Sequence, residues 1–171
     1  LVYNDGDTLR YEYSIRDHLG NTRLTFTDKN ANGVVDVTNT SANEILQENH
    51  FYPFGLDMAG PWMNDLAPDN LYKYNGKELN SDFGLNWMDY GARWYDGALG
   101  RFFSIDRFWE KYMNLTPFQY GGNNPCFFID NNGDSLIVAC ETPQVSEKFN
   151  DICASGFDGF YQTCIDEESN L

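Results

Sequence analysis

Aromatic side chains recur along most of this chain in short runs that end at glycine, asparagine or proline. The 171 residues include 13 Phe, 11 Tyr and 4 Trp, together with 15 Gly. Aromatic residues favour strands, whereas Gly and Asn mark tight turns. A helical bundle would need more Ala, Leu, Glu and Lys. The pattern therefore predicts a mostly β fold in which short antiparallel strands are joined by tight turns.

The chain is strongly acidic, with 26 Asp and Glu against 11 Lys and Arg and a formal net charge of −15. This charge repels phosphate backbones and anionic lipid surfaces, so we expect no nucleic-acid partner and no membrane insertion. The sequence begins without Met and without a basic or apolar leader. We therefore expect a fragment or a processed product.

Local patterns place several elements along the chain. Apolar and polar residues alternate across residues 9–28, which predicts a hairpin. Three short strands are expected over 71–103, the longest running from Trp87 to Tyr95. One short helix is expected at 107–113, with Asp106 as its N-cap.

The composition changes near the bond between Asp134 and Ser135. Residues 1–134 carry a net charge of −9, whereas residues 135–171 carry −6 and contain neither Trp nor Arg. We therefore expect two parts, 1–134 and a C-terminal tail of 135–171. A second short helix is expected in that tail, at 143–153.

Residues 90–106 read YGARWYDGALGRFFSID. This segment resembles the Rhs repeat-associated core domain of tyrosine–aspartate (YD) repeat proteins, whose form is roughly R-[FY]-Y-D-x-x-x-G-R-F-x-x-x-D. The residues that match are Arg93, Trp94, Tyr95, Asp96, Gly100, Arg101, Phe102 and Asp106. Four further segments resemble Bacteroidetes-type members of the same family. These segments are DHLGNTR (17–23), ENHFYPFGL (48–56), YKYNGKELNSDFGLNWMDYGAR (72–93) and YGGNNPCFFIDNNGD (120–134).

The resemblance covers about residues 9–134 and implies both a fold and a role. Rhs proteins wind strand–turn–strand ribbons into a hollow β-shell, and the core domain plugs one end of it. The polypeptide after the core is a variable effector, often a toxin. The implied partners are the remainder of its own Rhs shell and a secretion-machinery or immunity protein, in a secreted or cell-surface setting with a part in bacterial competition.

The resemblance also implies self-cleavage by paired aspartates near Asp134–Ser135. The matching carboxylates are Asp106 and Asp130, and Arg93 matches the supporting arginine. One carboxylate takes a proton from water, while a second group protonates the leaving amine. Such an aspartic peptidase acts once, on its own chain, and requires no cofactor.

Two departures from the family pattern favour a second hypothesis. The closing D-P-x-G has Asn131 in place of proline, and Asp134 stands where an apolar residue is usual. Asp106 and Asp130 would then have structural roles only, in a helix cap and a turn. The alternative function is a non-catalytic structural or adhesive module of a large YD-repeat cell-surface protein.

Residues 28–36, DKNANGVVD, match the first nine places of a calcium-binding loop. The candidate ligands are Asp28, Asn30, Asn32 and Asp36, with Gly33 at the sharp turn. The twelfth place holds Asn39 instead of the bidentate Glu, and the loop lies between strands. We therefore expect an ordinary turn and no bound cation.

The four cysteines, Cys126, Cys140, Cys153 and Cys164, include no CxxC pair and fit no zinc pattern. They are either reduced and buried or, after export, joined in part by a Cys153–Cys164 bridge. Because 37 residues bury too little surface to fold alone, we expect the tail to pack against residues 71–103.

Overall fold

A computed structural model describes residues 2–5, 8–37, 43–61 and 70–138, and within them the fold consists of four antiparallel sheets. Its eleven strands are β1 (Val2–Asp5), β2 (Thr8–Tyr11), β3 (Tyr13–Arg16), β4 (Thr22–Phe26), β5 (Ile45–Glu48), β6 (Glu78–Asn80), β7 (Trp87–Asp89), β8 (Trp94–Asp96), β9 (Arg101–Phe102), β10 (Phe128–Asp130) and β11 (Leu136–Val138). Short 3-10 helices, the only helices of the described part, are Tyr74–Gly76, Asp82–Gly84, Trp109–Tyr112 and Gly121–Asn123. The predicted mostly β, antiparallel fold is confirmed.

Strands β3, β4 and β5 form one sheet in chain order, and the hairpin predicted over 9–28 is its first part. Its turn is held by Asp17, whose Oδ1 accepts hydrogen bonds from the amides of Leu19 and Asn21, both at 3.0 Å. Alternation of this kind is typical of a half-buried strand, but Tyr13 and Ile15 in β3 are 50% and 53% exposed. Within the described ranges, that apolar face of β3 is open.

Strands β6 to β9 form a second sheet, also in chain order. Side chains alternate between its two faces, and cross-strand pairing aligns one apolar row on the inner face. That row consists of Leu79, Met88, Tyr95 and Phe102, with Tyr95 fully buried. The row is the floor of the aromatic core.

Three tyrosines, Tyr74, Tyr90 and Tyr120, pack on this row and complete the core. Asn75 links them to the first sheet, because its Oδ1 accepts hydrogen bonds from the hydroxyls of Tyr90 (2.8 Å) and Tyr120 (2.6 Å). Its Nδ2 donates to the carbonyl of Leu19 at 2.8 Å. The buried hydroxyls are thus paired, as a dry aromatic core requires.

The prediction of one long strand from Trp87 to Tyr95 was wrong, and 71–103 contains four strands, not three. The chain turns between β7 and β8 because Gly91 adopts a φ of +93° and its amide donates to Asp89 Oδ1 at 2.7 Å. The helix expected at 107–113 is a single 3-10 turn, Trp109–Tyr112. Its N-cap is Phe108 and not the predicted Asp106, whose Oδ1 instead accepts the amide of Phe108 at 2.7 Å, one residue before the turn begins.

Strands β10 and β11 form a hairpin that crosses the predicted division at residue 134. Three predictions lie outside the described residues: the tail helix at 143–153, the Cys153–Cys164 bridge and the packing of the tail beyond residue 138.

Helices long and apolar enough to cross a membrane do not occur in the part of the chain that the structure describes.

Gly55 gives a test of how closely the core is packed. It has a φ of +87°, and a Cβ there would lie 2.6 Å from Tyr74 Cδ1. We expect Gly55→Ala to lower the free energy of unfolding by about 2–4 kcal/mol, since overpacking adds to the left-handed backbone penalty. Gly84→Ala is the matched control: its φ is +74° with nothing within 4 Å, so only the penalty of about 1–2 kcal/mol applies. Equal losses in urea unfolding would contradict the packing argument.

Candidate active site

Arg93 occupies the turn between β7 and β8 and points into the protein, where the residue is 5% exposed. Two backbone hydrogen bonds fix the turn around Arg93. The Tyr90 amide donates to the Arg93 carbonyl at 3.2 Å, and the Ala92 amide donates to the Asn132 carbonyl at 3.0 Å. The guanidinium lies over the ring of Phe102, with Cζ 3.8 Å from the centroid. This cation–π contact and the backbone bonds place the charge at one position.

The guanidinium of Arg93 brings the two predicted catalytic aspartates together. Its Nη2 donates to Asp106 Oδ2 at 2.9 Å and lies 3.5 Å from Asp130 Oδ2. Both aspartates are buried, with 3% and 2% of their surface exposed. Nη1 donates to the carbonyl of Pro117 at 3.1 Å. Three residues that are 13 to 37 positions apart in the sequence thus share one buried cluster.

Asp130 also holds the turn that contains the predicted cleavage site. Its Oδ1 accepts hydrogen bonds from the amide of Gly133 at 2.6 Å and from the amide of Ser135 at 3.4 Å. The Gly133 carbonyl accepts a hydrogen bond from Arg93 Nε. One carboxylate oxygen of Asp130 therefore faces Arg93, while the other faces the nitrogen of the Asp134–Ser135 bond.

Burial controls the proton affinity of this cluster. It raises the pKa of Asp130 from 3.8 to about 6, against the opposing effects of Arg93 and of the two backbone amides. Burial also lowers the pKa of Arg93, an effect opposed by the charges of Asp106, Asp130 and Asp134. Asp130 is therefore the carboxyl in this cluster that can hold a proton in mildly acidic solution.

Sequence reasoning missed two contributors to the site. Gly133 lies so close to the Arg93 turn that a Cβ would meet the Arg93 nitrogen at 3.0 Å, and its φ is +80°. Arg107 pairs with Asp134, which is buried. The only sequence signal for Arg107 was its place directly after Asp106, because contacts between distant segments do not follow from spacing.

The loop at 28–36, a weak calcium candidate expected to be an ordinary turn, is held by side-chain to backbone hydrogen bonds. Both carboxylate oxygens of Asp28 accept backbone amides, those of Asn32 (3.2 Å) and Gly33 (2.8 Å). The side-chain oxygens of Asn30 and Asn32 accept amides two residues ahead, at 3.0 and 2.7 Å. The backbone amide of Asp36 donates to Glu44. These hydrogen bonds stabilise the turn.

No protein-family profile matches the chain. Among curated proteins, "Salivary gland surface protein 1" of Aedes aegypti is 29% identical over 129 residues, which is 75% of this chain and 3% of that protein. Solved structures are similar over a comparable stretch. The crystal structure of TcdB2-TccC3-Cdc42 matches 77% of this chain at 24% sequence identity, with a TM-score of 0.58. The crystal structure of TcdB2-TccC3 without its hypervariable C-terminal region matches 76% of this chain, also at 24% identity, with a TM-score of 0.57.

The Tc holotoxin pore of Photorhabdus luminescens, with a substitution in TccC3, is 22% identical over 76% of this chain at a TM-score of 0.55. These chains belong to multi-subunit toxin complexes, and their likeness shows the fold. The chain therefore shares the fold of the matched part of those toxin chains. The chain spans only 3% of the curated relative and about 5% of each matched toxin chain.

A carbon-detected NMR titration would test the environment of Asp130. We expect its carboxyl to titrate near pH 6, because burial favours the neutral acid. The folded state then binds more protons than the unfolded state between about pH 4 and 6. The contribution of Asp130 to stability therefore falls as pH rises through that window, by at most about 3 kcal/mol, and does not change above it. A midpoint near 4 would contradict the burial argument.

The loop at 28–36 is expected to be an ordinary turn whose stability does not depend on calcium. Adding calcium or a chelator is expected to leave the melting temperature unchanged, since a ligand that binds only the folded state would stabilise it. Circular dichroism melts in EDTA and in millimolar calcium measure this directly. A melting temperature that increases with calcium, and that Asp28→Asn makes insensitive to the ion, would overturn the assignment as a turn.

Proposed function

We propose that this chain is the core and plug segment of an Rhs-type toxin-delivery shell and that it cleaves itself once, between Asp134 and Ser135. Asp106 and Asp130 are the catalytic carboxyls, and Arg93 positions them. The observation that carries the proposal is the double contact of Asp130: Oδ2 lies 3.5 Å from Arg93 Nη2, and Oδ1 accepts the amide of Ser135 at 3.4 Å.

The reaction needs an ionised base and a protonated acid. Asp106, paired with Arg93, takes a proton from water as the water oxygen attacks the Asp134 carbonyl carbon. Protonated Asp130 then gives its proton to the Ser135 nitrogen as the carbon–nitrogen bond breaks. The products are a carboxyl group on Asp134 and a free amine on Ser135, so atoms and protons balance.

Several features of the site support this chemistry. The pKa of Asp130 near 6 keeps the acid partly protonated in mildly acidic solution. The turn from 131 to 134 is held at three carbonyls, by Lys77 at Asn131, by the Ala92 amide at Asn132 and by Arg93 at Gly133. A scissile bond held beside its acid gains the advantage of proximity.

The proposed partners follow from the place of such a segment. The remainder of its own shell surrounds it, and the C-terminal part beyond residue 134 is the effector that cleavage releases. A secretion-machinery or immunity protein would act on the whole protein, which is secreted or at the cell surface. The similar TcdB2-TccC3 protein has a hypervariable C-terminal region, and a variable tail is proposed for this chain by analogy.

A non-catalytic structural or adhesive module is the second candidate. The observation that favours it is the match to an insect protein named as a surface protein. In that case, the Arg93 cluster would only fix the hairpin of β10 and β11 to the aromatic core. The two candidates differ in whether the bond at 134 breaks.

Intact-mass analysis of the freshly purified 171-residue chain separates them. We expect two fragments that correspond to 1–134 and 135–171, while Asp106→Asn and Asp130→Asn remain full length because each removes one proton-transfer group. The cleavage rate is expected to fall about tenfold per pH unit above pH 6, as Asp130 loses its proton.

Asp89→Asn is the matched control, since Asp89 also accepts a turn amide, that of Gly91, but is exposed. It should be cleaved as fast as the wild type. Near-ultraviolet circular dichroism shows whether each variant keeps its aromatic core. If the wild type and all variants are full length and folded, the catalytic proposal fails and the structural module stands.

A further inference from the structure

Asp134 is the residue immediately before the proposed scissile bond, and its side chain is unusually placed for a carboxylate. The residue is only 3% exposed. Its Oδ1 accepts a hydrogen bond from the hydroxyl of Ser135 at 2.7 Å. A buried carboxylate is costly unless a charge or further hydrogen bonds compensate for it.

Arg107 provides the compensating charge. Its Nη2 forms an ion pair with Asp134 Oδ2, although 64% of the Arg107 side chain is exposed. The guanidinium Cζ lies 4.7 Å from the ring centroid of Phe108, a contact that limits its conformations. A largely exposed cation is therefore the ion-pair partner of the buried Asp134 carboxylate.

The number of charges in the cluster explains why Arg107, and not Arg93, is the cation that compensates for Asp134. Arg93 already contacts both Asp106 and Asp130, so its charge is shared. Two guanidinium groups therefore face three carboxyls. Without Arg107, Arg93 would be the single cation beside all three.

We propose that Arg107 is a specificity-determining residue that selects an acidic side chain immediately before the scissile bond. This inference rests on the proposed self-cleavage between Asp134 and Ser135. Arg107 directly follows the proposed base Asp106, so one short segment carries both the base and the group that holds the scissile turn. The acidic residue at 134, where an apolar one is usual, is then matched by its own cationic partner.

A double-mutant cycle on the cleavage rate of the full 171-residue chain tests this assignment. Arg107→Ala is expected to slow cleavage by about tenfold or more, because it leaves Asp134 buried without its partner. Arg107→Lys, which keeps the charge, should lose less. Asp134→Leu removes the buried charge, so adding Arg107→Ala to it should cause no further loss. This non-additivity is the signature of selection through the side chain at 134.

Arg101→Ala is the control for loss of an arginine, since Arg101 instead donates to Asn123 Oδ1 at 2.8 Å. It should cleave at the wild-type rate. If wild type cleaves and Arg107→Ala is equally fast, or if Arg107→Ala is as harmful in the Asp134→Leu chain, the inference fails while the proposed function stands. An intact wild-type chain would overturn the proposed function and this inference with it. Near-ultraviolet circular dichroism identifies any variant that is slow because it is unfolded.

Discussion

The buried guanidinium of Arg93 joins parts of the chain that pairing between neighbouring strands does not connect. It contacts Asp106, Asp130 and the carbonyls of Pro117 and Gly133, and it lies over Phe102 of the aromatic core. A planar group with five donors suits such a position, since it can bind carboxylates and carbonyls in several directions at once. Loss of this one cation would leave two buried carboxylates without their shared partner.

The aromatic core explains why that charge can be held so firmly. Tyrosines whose hydroxyls are hydrogen-bonded pack on the row of side chains across β6 to β9, so the buried core carries paired polar groups at defined points. Asn75 connects it to the turn of the first hairpin. The site is thus built on strands and short turns fixed by packing, which favours a precise arrangement of charges.

The sequence alone predicted the β class and the first hairpin, because alternation and turn residues are local signals. Asp106, Asp130 and Arg93 were chosen through the family resemblance; the structure brings them together, and their catalytic role stays a prediction. The prediction of strands from the sequence failed where a single residue determines whether the chain continues as a strand or turns. Gly91 breaks the expected strand between Trp87 and Tyr95, a choice that depends on its pairing with Asp89. Arg107 could not be found either, since its contact with Asp134 joins residues 27 positions apart.

The identity of the new amino terminus tests the central claim most directly. Terminal sequencing of any small fragment released from the freshly purified chain, with the reaction run in oxygen-18 water, reads both the broken bond and the origin of the new carboxyl oxygen. A fragment that begins at Ser135, with one oxygen-18 atom in the Asp134 carboxyl of its partner, is the predicted result. A chain that stays whole, or a fragment that begins at another residue, would contradict the account.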